Sequence, residues 1–451
     1  LLSASQRELF DDLALRHGGT FAKDIEWDAR YEGTYRVPFV GHNMQPWLRD
    51  YEATLAWPRR VVDVINARLR LRSFYLPGED QADERLGEIW RANNLDSESG
   101  LVHKDALIYG RAFVSVGAPA VEGGLPVIRV ESPRELTARV NPWTQQIDAA
   151  LRLVAARPGE VEASHATLYL PNETIWLERF DQGQWVEQNR DPHNLGRVPI
   201  VMFLNRRRSG NWAGVSEMAD VAELADIASR TLMDMQVTME GEARQQKYAL
   251  GVKPEDFVDA EGNQINAWNA HSGSVWMNGN PEVKVGVLPG ANLAGFHDTI
   301  KMLAQQAAAV TGFPLRYFGL STSNPPSGDA IRADEGEIVA TAERVQRDFD
   351  APWGWVAALA HRIDTGNWVD GSGIVAEWYD PSTPTYAARA DAIQKQTGGA
   401  PVLSREGAWE EMGWSESRMK REAERFDNEA SDPVIDRVLR EFDGGDTNRG
   451  A

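Results

Sequence analysis

Two stretches of the chain repeat apolar residues on the same alternating three-and-four spacing. In the first, Met218, Val221, Ala225, Ala228, Leu232, Met235 and Met239 form one stripe over Gly214–Gln246, a helix of about 50 Å. In the second, Leu293, Phe296, Ile300, Leu303, Ala307 and Val310 do the same over Ala291–Val310. A seven-residue repeat of this kind needs a partner surface along its whole length. The methionines therefore read as packing residues rather than as a cofactor-binding set. Between the stripes, Lys247–Leu288 loses the helical pattern and carries Pro254, Gly262, Gly273, Gly279 and Pro281. Its strand-like pieces, Ser274–Met277 and Val283–Val287, predict a small α/β excursion. Trp268 and Trp276 are either its core or exposed anchors for a partner. The pattern is thus a helix out, a small tip, and a helix back.

The returning helix runs into a distinctive segment, Thr311–Trp353. Gly312 stands where a C-cap glycine would, and Pro314 bars continuation. Leu315–Ser327 reads as a loop, punctuated by Gly319, Ser321, Ser323, Asn324, Pro325 and Pro326. Ser327 can cap the next helix, and Asp329 favours its positive end. Ile331, Ile338, Ala342, Val345 and Phe349 then recur at helical spacing, with Asp334, Glu335, Glu337, Arg344 and Arg347 between them. Pro352 predicts a kink or restart, after which Trp353, Val356, Leu359, Ala360 and Ile363 carry the face on to Gly366.

Upstream, Ser5–Arg16, Asn43–Leu71, Asp83–Asn94 and Ser97–Ile108 read as helices, the second interrupted at Pro58. Arg59, Arg60, Arg68, Arg70 and Arg72 form a local basic cluster, either a solvated helix face or a contact for a neighbouring subunit or DNA. From Gly110 the period becomes two, over Ala112–Val116, Val127–Val130, Ala149–Val154, Thr167–Leu170, Thr174–Arg179 and Gln184–Glu187. This predicts an antiparallel meander. Leu195–Asn205 reads as a last, buried strand. Beyond the long helix, Trp368–Trp378 is strand-like. Ala387–Lys395, Ser404–Met412 and Ser415–Glu429 return to helix, with Ser404 and Ser415 as N-caps.

The chain of 451 residues has room for two or three domains. It contains no Cys, which excludes disulfides and thiolate chemistry. Its formal charge of −20 argues against tight, counterion-releasing binding of DNA; it suits mere solubility first, and is compatible with a surface past which DNA slides. Sixteen Trp suit packing and interface anchoring. No apolar run is long enough to cross a bilayer, and the acidic start LLSASQRELFDDL is not a signal peptide. Because it opens without Met, the chain is expected to be a trimmed or partly ordered product. There is no G-x-x-x-x-G-K-[ST], H-E-x-x-H or G-x-S-x-G, and the histidines never fall at metal-ligand spacing. The adjacent acids Asp11-Asp12 and Glu410-Glu411 read as solvated charge. No catalytic residue, metal site or cofactor is predicted.

The segments FGLSTSNPPSGDAIRADE, NLGRVPIVMFLN, GVSEMADVAELADIASRTLMDM and LSREGAWEEMGWSESRMKREAERFDNE, taken in their order, resemble the portal (head–tail connector) proteins of tailed, siphophage-type bacteriophages. The resemblance spans about Asp50–Glu429. It departs from the family's pattern in a short clip and in the stiffening pair Pro325-Pro326. It implies an α+β, helix-rich fold with an α/β wing, a helical-hairpin stem, a small α/β clip, a kinked long helix and a helical crown. The expected division is an N-terminal arm (1–42), the wing (43–212), stem helix 1 (213–246), the clip (247–289), stem helix 2 (290–311), a tunnel loop (312–327), the long helix with a return to the wing (328–382), and the crown (383–451). It further implies a ring, dodecameric in virions, at one capsid vertex, assembled in the host bacterial cytoplasm. Double-stranded DNA would pass through it. Terminase, scaffold and major capsid proteins and a head–tail adaptor would dock on it, without membrane contact. Arg316, Ser321, Thr322, Ser323 and Asn324 are the loop residues expected to approach DNA. Glu217, Asp220, Glu223, Asp226, Asp234 and Glu240 are the expected acidic stem surface. The competing reading is a non-viral ring or filament scaffold without a DNA channel. A hydrolase assembled from distant acids is not favoured by the order of segments.

Overall fold

The computed structural model describes residues 2–37, 53–119, 121, 123–155, 162–180, 183–243, 247–251, 282, 284–287, 292–320, 327–382, 386–398, 401–414 and 416–430. It is α+β and helix-rich, and it divides into two compact units, Leu1–Pro381 and Ser382–Ala451.

In the first unit, helix α1 (Ala4–Glu32) opens with a capping box between Ser3 and Gln6 and ends on Gly33 at φ +75°. The expected helix stopped at Arg16, before Gly18 and Gly19. Tertiary contacts on both sides override the two glycines: Phe10 and Leu13 are buried against a sheet, and Asp24 and Arg30 are buried in ion pairs. The residues assigned to an N-terminal arm therefore include a long helix packed within the unit. Of the predicted helix Asn43–Leu71, residues 43–52 lie outside the described residues, Leu71 already belongs to a strand, and helix α2 covers Trp57–Asn66. Pro58 stands in its first turn, where a missing N–H costs nothing, and starts the helix instead of interrupting it. Strand β1 (Leu71–Tyr75) follows, then α3 (Glu84–Ala92) and α4 (Leu95–Tyr109).

The predicted single meander is two sheets. Strands β2 (Arg111–Gly117), β3 (Val127–Glu131) and β9 (Ile200–Leu204) form one, in the order β3-β2-β9. Strands β4 (Leu136–Val140), β5 (Ile147–Val154), β6 (His165–Tyr169), β7 (Thr174–Arg179) and β8 (Trp185–Asp191) form the other. The separation depends on β9 returning across some eighty residues to pair antiparallel with β2, Phe113 opposite Met202, which no local periodicity reveals. β4 was not predicted. Helix α1 covers one face of the five-stranded sheet, with Phe10 and Leu13 against Ala149, Leu151, Leu168 and Ile175. Val198 and Ile200 lie against the other face at Leu136 and Ala150.

Helix α5 (Ala219–Ala243) leaves β9 through a tight socket. Asn205 and Val215 exchange backbone and side-chain hydrogen bonds, and a Cβ on Gly214 (φ +65°) would overlap the Gly110 carbonyl. Strands β10 (Lys247–Leu250) and β11 (Lys284–Val287) pair antiparallel, and α6 (Ala294–Thr311) packs along α5. The expected strand at Ser274–Met277, with Trp268 and Trp276, lies outside the described residues.

Helix α7 (Gly328–Asp334) and helix α8 (Gly336–Thr365) replace the one predicted helix, with a break at Glu335. Pro352 does not restart α8, which runs on through it. Phe349 and Trp353 on either side are fully buried against Phe203 and hold the turn in place. Of Trp368–Trp378, only β12 (Val375–Trp378) is a strand, antiparallel to β1; Asp370 folds the preceding residues into a turn. His103 sits in this core, accepting from Trp353 Nε1 at 2.9 Å and stacked on Phe349.

The second unit holds α9 (Tyr386–Thr397), α10 (Arg405–Glu411), capped by Ser404, and α11 (Glu416–Ala430). Trp409 is its buried centre, stacked on Trp414 and Phe426.

Candidate functional site: the helical hairpin and the segment behind it

The apolar stripes of α5 and α6 are covered unevenly. Met218, Val221, Ala225 and Ala228 are buried, Leu232 and Met235 half-buried, and Met239 is 49% exposed. On α6, Leu303 and Ala307 are buried, while Leu293, Phe296 and Ile300 are half-buried. Among the described residues, the two helices thus pack on the body at one end and on each other towards the tip. Ile227, Met302 and Val310 add exposed apolar side chains on their outer faces. Packing among the described residues leaves this surface incomplete.

Three of the six expected stem acids are engaged inside the chain. Glu217 lies just before α5, where it accepts from Asn205 Nδ2 at 2.8 Å and pairs with Arg344 at 3.2 Å. Asp220 pairs with Arg206 at 2.6 Å, and Asp226 with Arg30 at 2.9 Å. Burial raises the pKa of Asp226, against the opposing pull of Arg30. Glu223 is exposed, and Asp234 and Glu240 are half-buried; none of the three forms an ion pair with another described residue.

At the C-terminal end of α6, Gly312 takes φ +69° and Pro314 starts a 3-10 turn, Leu315–Phe318, where a loop was expected. Arg316, expected to face DNA, is half-buried and bound to the helix break behind it. Its guanidinium donates to Asp334 at 2.8 Å and to Glu335 at 2.7 Å. Glu335 also accepts from Tyr317 Oη at 3.0 Å and from Arg68 at 3.1 Å. Burial works to raise its pKa, but the hydrogen bonds from Arg316 and Tyr317 and the two positive charges outweigh it, and the pKa is lowered. Phe318 meets Trp57 edge-on at 5.7 Å. Ser327 Oγ accepts from Ala330 N and caps α7. Both ends of the intervening segment are therefore fastened. Ser321, Thr322, Ser323 and Asn324 lie outside the described residues.

Sequence reasoning missed Glu335 as the centre of this clasp and Arg68 as its buried partner. The only available signal was an acid between two helical segments with arginines and a tyrosine within reach. Of the arginine cluster, Arg59, Arg60, Arg70 and Arg72 are exposed, as on a solvated face, and each also meets a partner within the chain. Arg59 reaches Asp63 and Tyr31, Arg60 lies over Tyr317, Arg68 binds Glu335, Arg70 lies over Tyr379, and Arg72 pairs with Glu377.

A helical hairpin with apolar side chains left exposed among the described residues, backed by a clasped segment leading into a long helix, has the surface of a protein that assembles. The family described as "Phage portal protein, SPP1 Gp6-like" matches residues 20–433. The portal protein of Mycobacterium phage D29 is 36% identical over 410 residues, covering 88% of this chain and 84% of that protein. The portal protein of Mycobacterium phage L5 is 36% identical over 420 residues, covering 90% and 86%. Among solved structures, a chain in the neck of an empty gene transfer agent (GTA) particle aligns with a TM-score of 0.46 at 14% identity, covering 79% of this chain and 89% of that one. A chain in the virion of a native GTA particle aligns with a TM-score of 0.46 at 15% identity, covering 88% and 99%. The chain belongs to the SPP1 Gp6-like phage portal protein family.

Proposed function

We propose that the chain closes into a ring of twelve copies at one vertex of a phage capsid and forms the channel through which double-stranded DNA is packaged and ejected. The observation that carries the ring is the hairpin of α5 and α6. Its distal stripe, Leu232, Met235 and Met239 with Ile300 and Phe296, is covered only in part within one chain, and copies set side by side about an axis cover the rest. In this reading 213–246 and 290–311 are the stem, 247–289 the clip, 43–212 the wing with α1 packed on it, and 383–451 the crown. The ring also serves as the platform for terminase, scaffold and major capsid proteins and the head–tail adaptor. It acts by position, without catalysis, cofactor or membrane contact. It assembles in the host cytoplasm and ends in the virion.

Glu223, Asp234 and Glu240 are the acids left to repel phosphate along the stem. Residues 321–324 approach the DNA, and Arg316 holds the base of their loop rather than touching the duplex. End-on electron microscopy with native mass measurement of the purified protein tests the reading. The expected result is a closed ring with a hole wide enough for a B-form duplex. A monomer at all concentrations defeats it, and a ring or filament without such a hole favours a scaffold that conducts no DNA.

A further inference from the structure

The turn between β4 and β5 holds Trp143 with 90% of its surface exposed. The frame beneath it is fixed. Asn141 Oδ1 accepts from Trp143 N at 2.9 Å and from Thr144 N at 3.2 Å, and Gln145 closes the turn at φ +57° with its N–H on the Asn141 carbonyl. The loop after β9 lies beside it: Arg207 donates to Gln145 Oε1 at 3.5 Å and stacks on Trp212 at 4.1 Å. Of the three consecutive arginines, Arg206 is neutralised by Asp220, and exposed Arg208 forms no ion pair with a described residue. A rigidly presented indole beside arginines has the composition of an interface anchor. It suits a nucleic acid poorly, because two of the three arginines are already occupied and the chain carries a net −20.

We propose that this corner docks on the outer face of α1 in a neighbouring copy, an inference that rests on the ring reading above. That face carries Leu15, 78% exposed, and Ile25, 44% exposed. Glu8 and Asp11, two turns and one turn before Leu15, form no ion pair with a described residue and would face Arg208. Between the two apolar side chains lie Gly18 and Gly19. A Cβ at either would meet nothing within 4 Å, so their own subunit does not require glycine there, yet each costs about 1 kcal/mol of helix propensity relative to Ala. A bare strip of backbone lets a flat indole lie close. Charge and shape therefore match: acidic and flat on α1, basic and protruding at Trp143. Placement matches as well. α1 covers one face of the five-stranded sheet, and the strand leading to Arg207 lies against the other. The two surfaces are thus different patches of one chain, as a head-to-tail ring contact requires.

The absence of Cys allows a direct test. A full-length chain carrying Thr144→Cys and Ala22→Cys, treated with a flexible bis-maleimide, is expected to give a ladder of covalent multimers in denaturing electrophoresis. Each single variant is expected to give none. In parallel, Trp143→Ala with Arg208→Glu is expected to raise the concentration needed for half assembly at least about tenfold, and Asp11→Arg to restore part of that loss. Rings that form normally in the double-cysteine chain but yield no ladder overturn this contact and leave the ring standing. An unmodified chain that never forms rings overturns the ring reading, and the contact with it.

Discussion

At Glu335, one carboxylate receives Arg316, Tyr317 and Arg68 at a break between two helices. Glu335→Gln keeps the shape and one acceptor oxygen but leaves Arg68, only 10% exposed, opposite a neutral group. The expected loss is about 1–3 kcal/mol of unfolding free energy in urea, with faster amide exchange in α7 as the local signature. Two residues on α4 make an opposed pair. Burial pushes the His103 imidazole from 6.5 down to about 3, and burial pushes the Asp105 carboxyl from 3.8 up to about 7. His103 therefore adds stability that is complete above pH 6.5 and is lost as pH falls towards 3. Asp105 has the reverse sign: its contribution is complete below pH 3.8 and is lost as pH rises through 7. Over the shared window the two offset each other. Asp105→Asn removes one side of the balance. The melting temperature is expected to rise at pH 7.5 and to fall more steeply than in the parent between pH 6.5 and 4, as followed by circular dichroism. An unchanged pH profile would show that Asp105 titrates as an ordinary surface acid.

The elements divide by whether local pattern or distant pairing makes them. The α5 and α6 stripes, the Gly312 cap, the Ser327 cap and the three helices after residue 385 were all legible, because each is written in spacing or in a capping residue. What was not legible was set elsewhere in the chain. α1 passes through Gly18 and Gly19 because Asp24 meets Arg111. α8 passes through Pro352 because Phe203 packs on Phe349 and Trp353. Glu335 breaks a helix whose apolar spacing is continuous because three side chains converge on it. The candidate site followed the same rule: its segment order could be read, but the ion pairs that occupy Glu217, Asp220, Asp226 and Arg316 could not, since each partner is distant in sequence or on another element. The hairpin makes a sharper prediction. Leu303→Ala removes a side chain buried within the chain and should cost about 2–5 kcal/mol in the monomer. Leu232→Ala removes a half-buried one, and should cost less in the monomer but weaken assembly more, as read by chemical denaturation beside native mass spectrometry. At the root of the same hairpin, Gly214→Ala combines a positive φ with overlap on the Gly110 carbonyl and should cost at least about 2 kcal/mol.

For the whole molecule the decisive quantity is how charge is distributed. The formal charge is −20, yet many of the arginines that could offset it locally are bound to acids of the same chain: Arg30, Arg68, Arg111, Arg206, Arg316 and Arg344 among them. A protein that must hold DNA needs free cations in register with phosphates, and each phosphate so neutralised releases counterions and steepens the fall of affinity with salt. A protein that must let DNA slide needs the opposite: few free cations and a background that repels. The chain has the second arrangement, with Glu223, Asp234 and Glu240 unpaired among the described residues of α5 and the nearest arginines engaged. Duplex DNA should therefore bind the assembled protein weakly at physiological salt, with a log–log salt slope of magnitude below about 2 by fluorescence anisotropy. Replacing Glu223, Asp234 and Glu240 by Gln should strengthen binding at low salt without steepening that slope, because it removes repulsion and adds no cation. Replacing the same three by Lys should do both. A parent protein that already shows a steep slope would mean that the ion pairs named here open when DNA arrives. The channel proposed above would then grip DNA rather than let it pass.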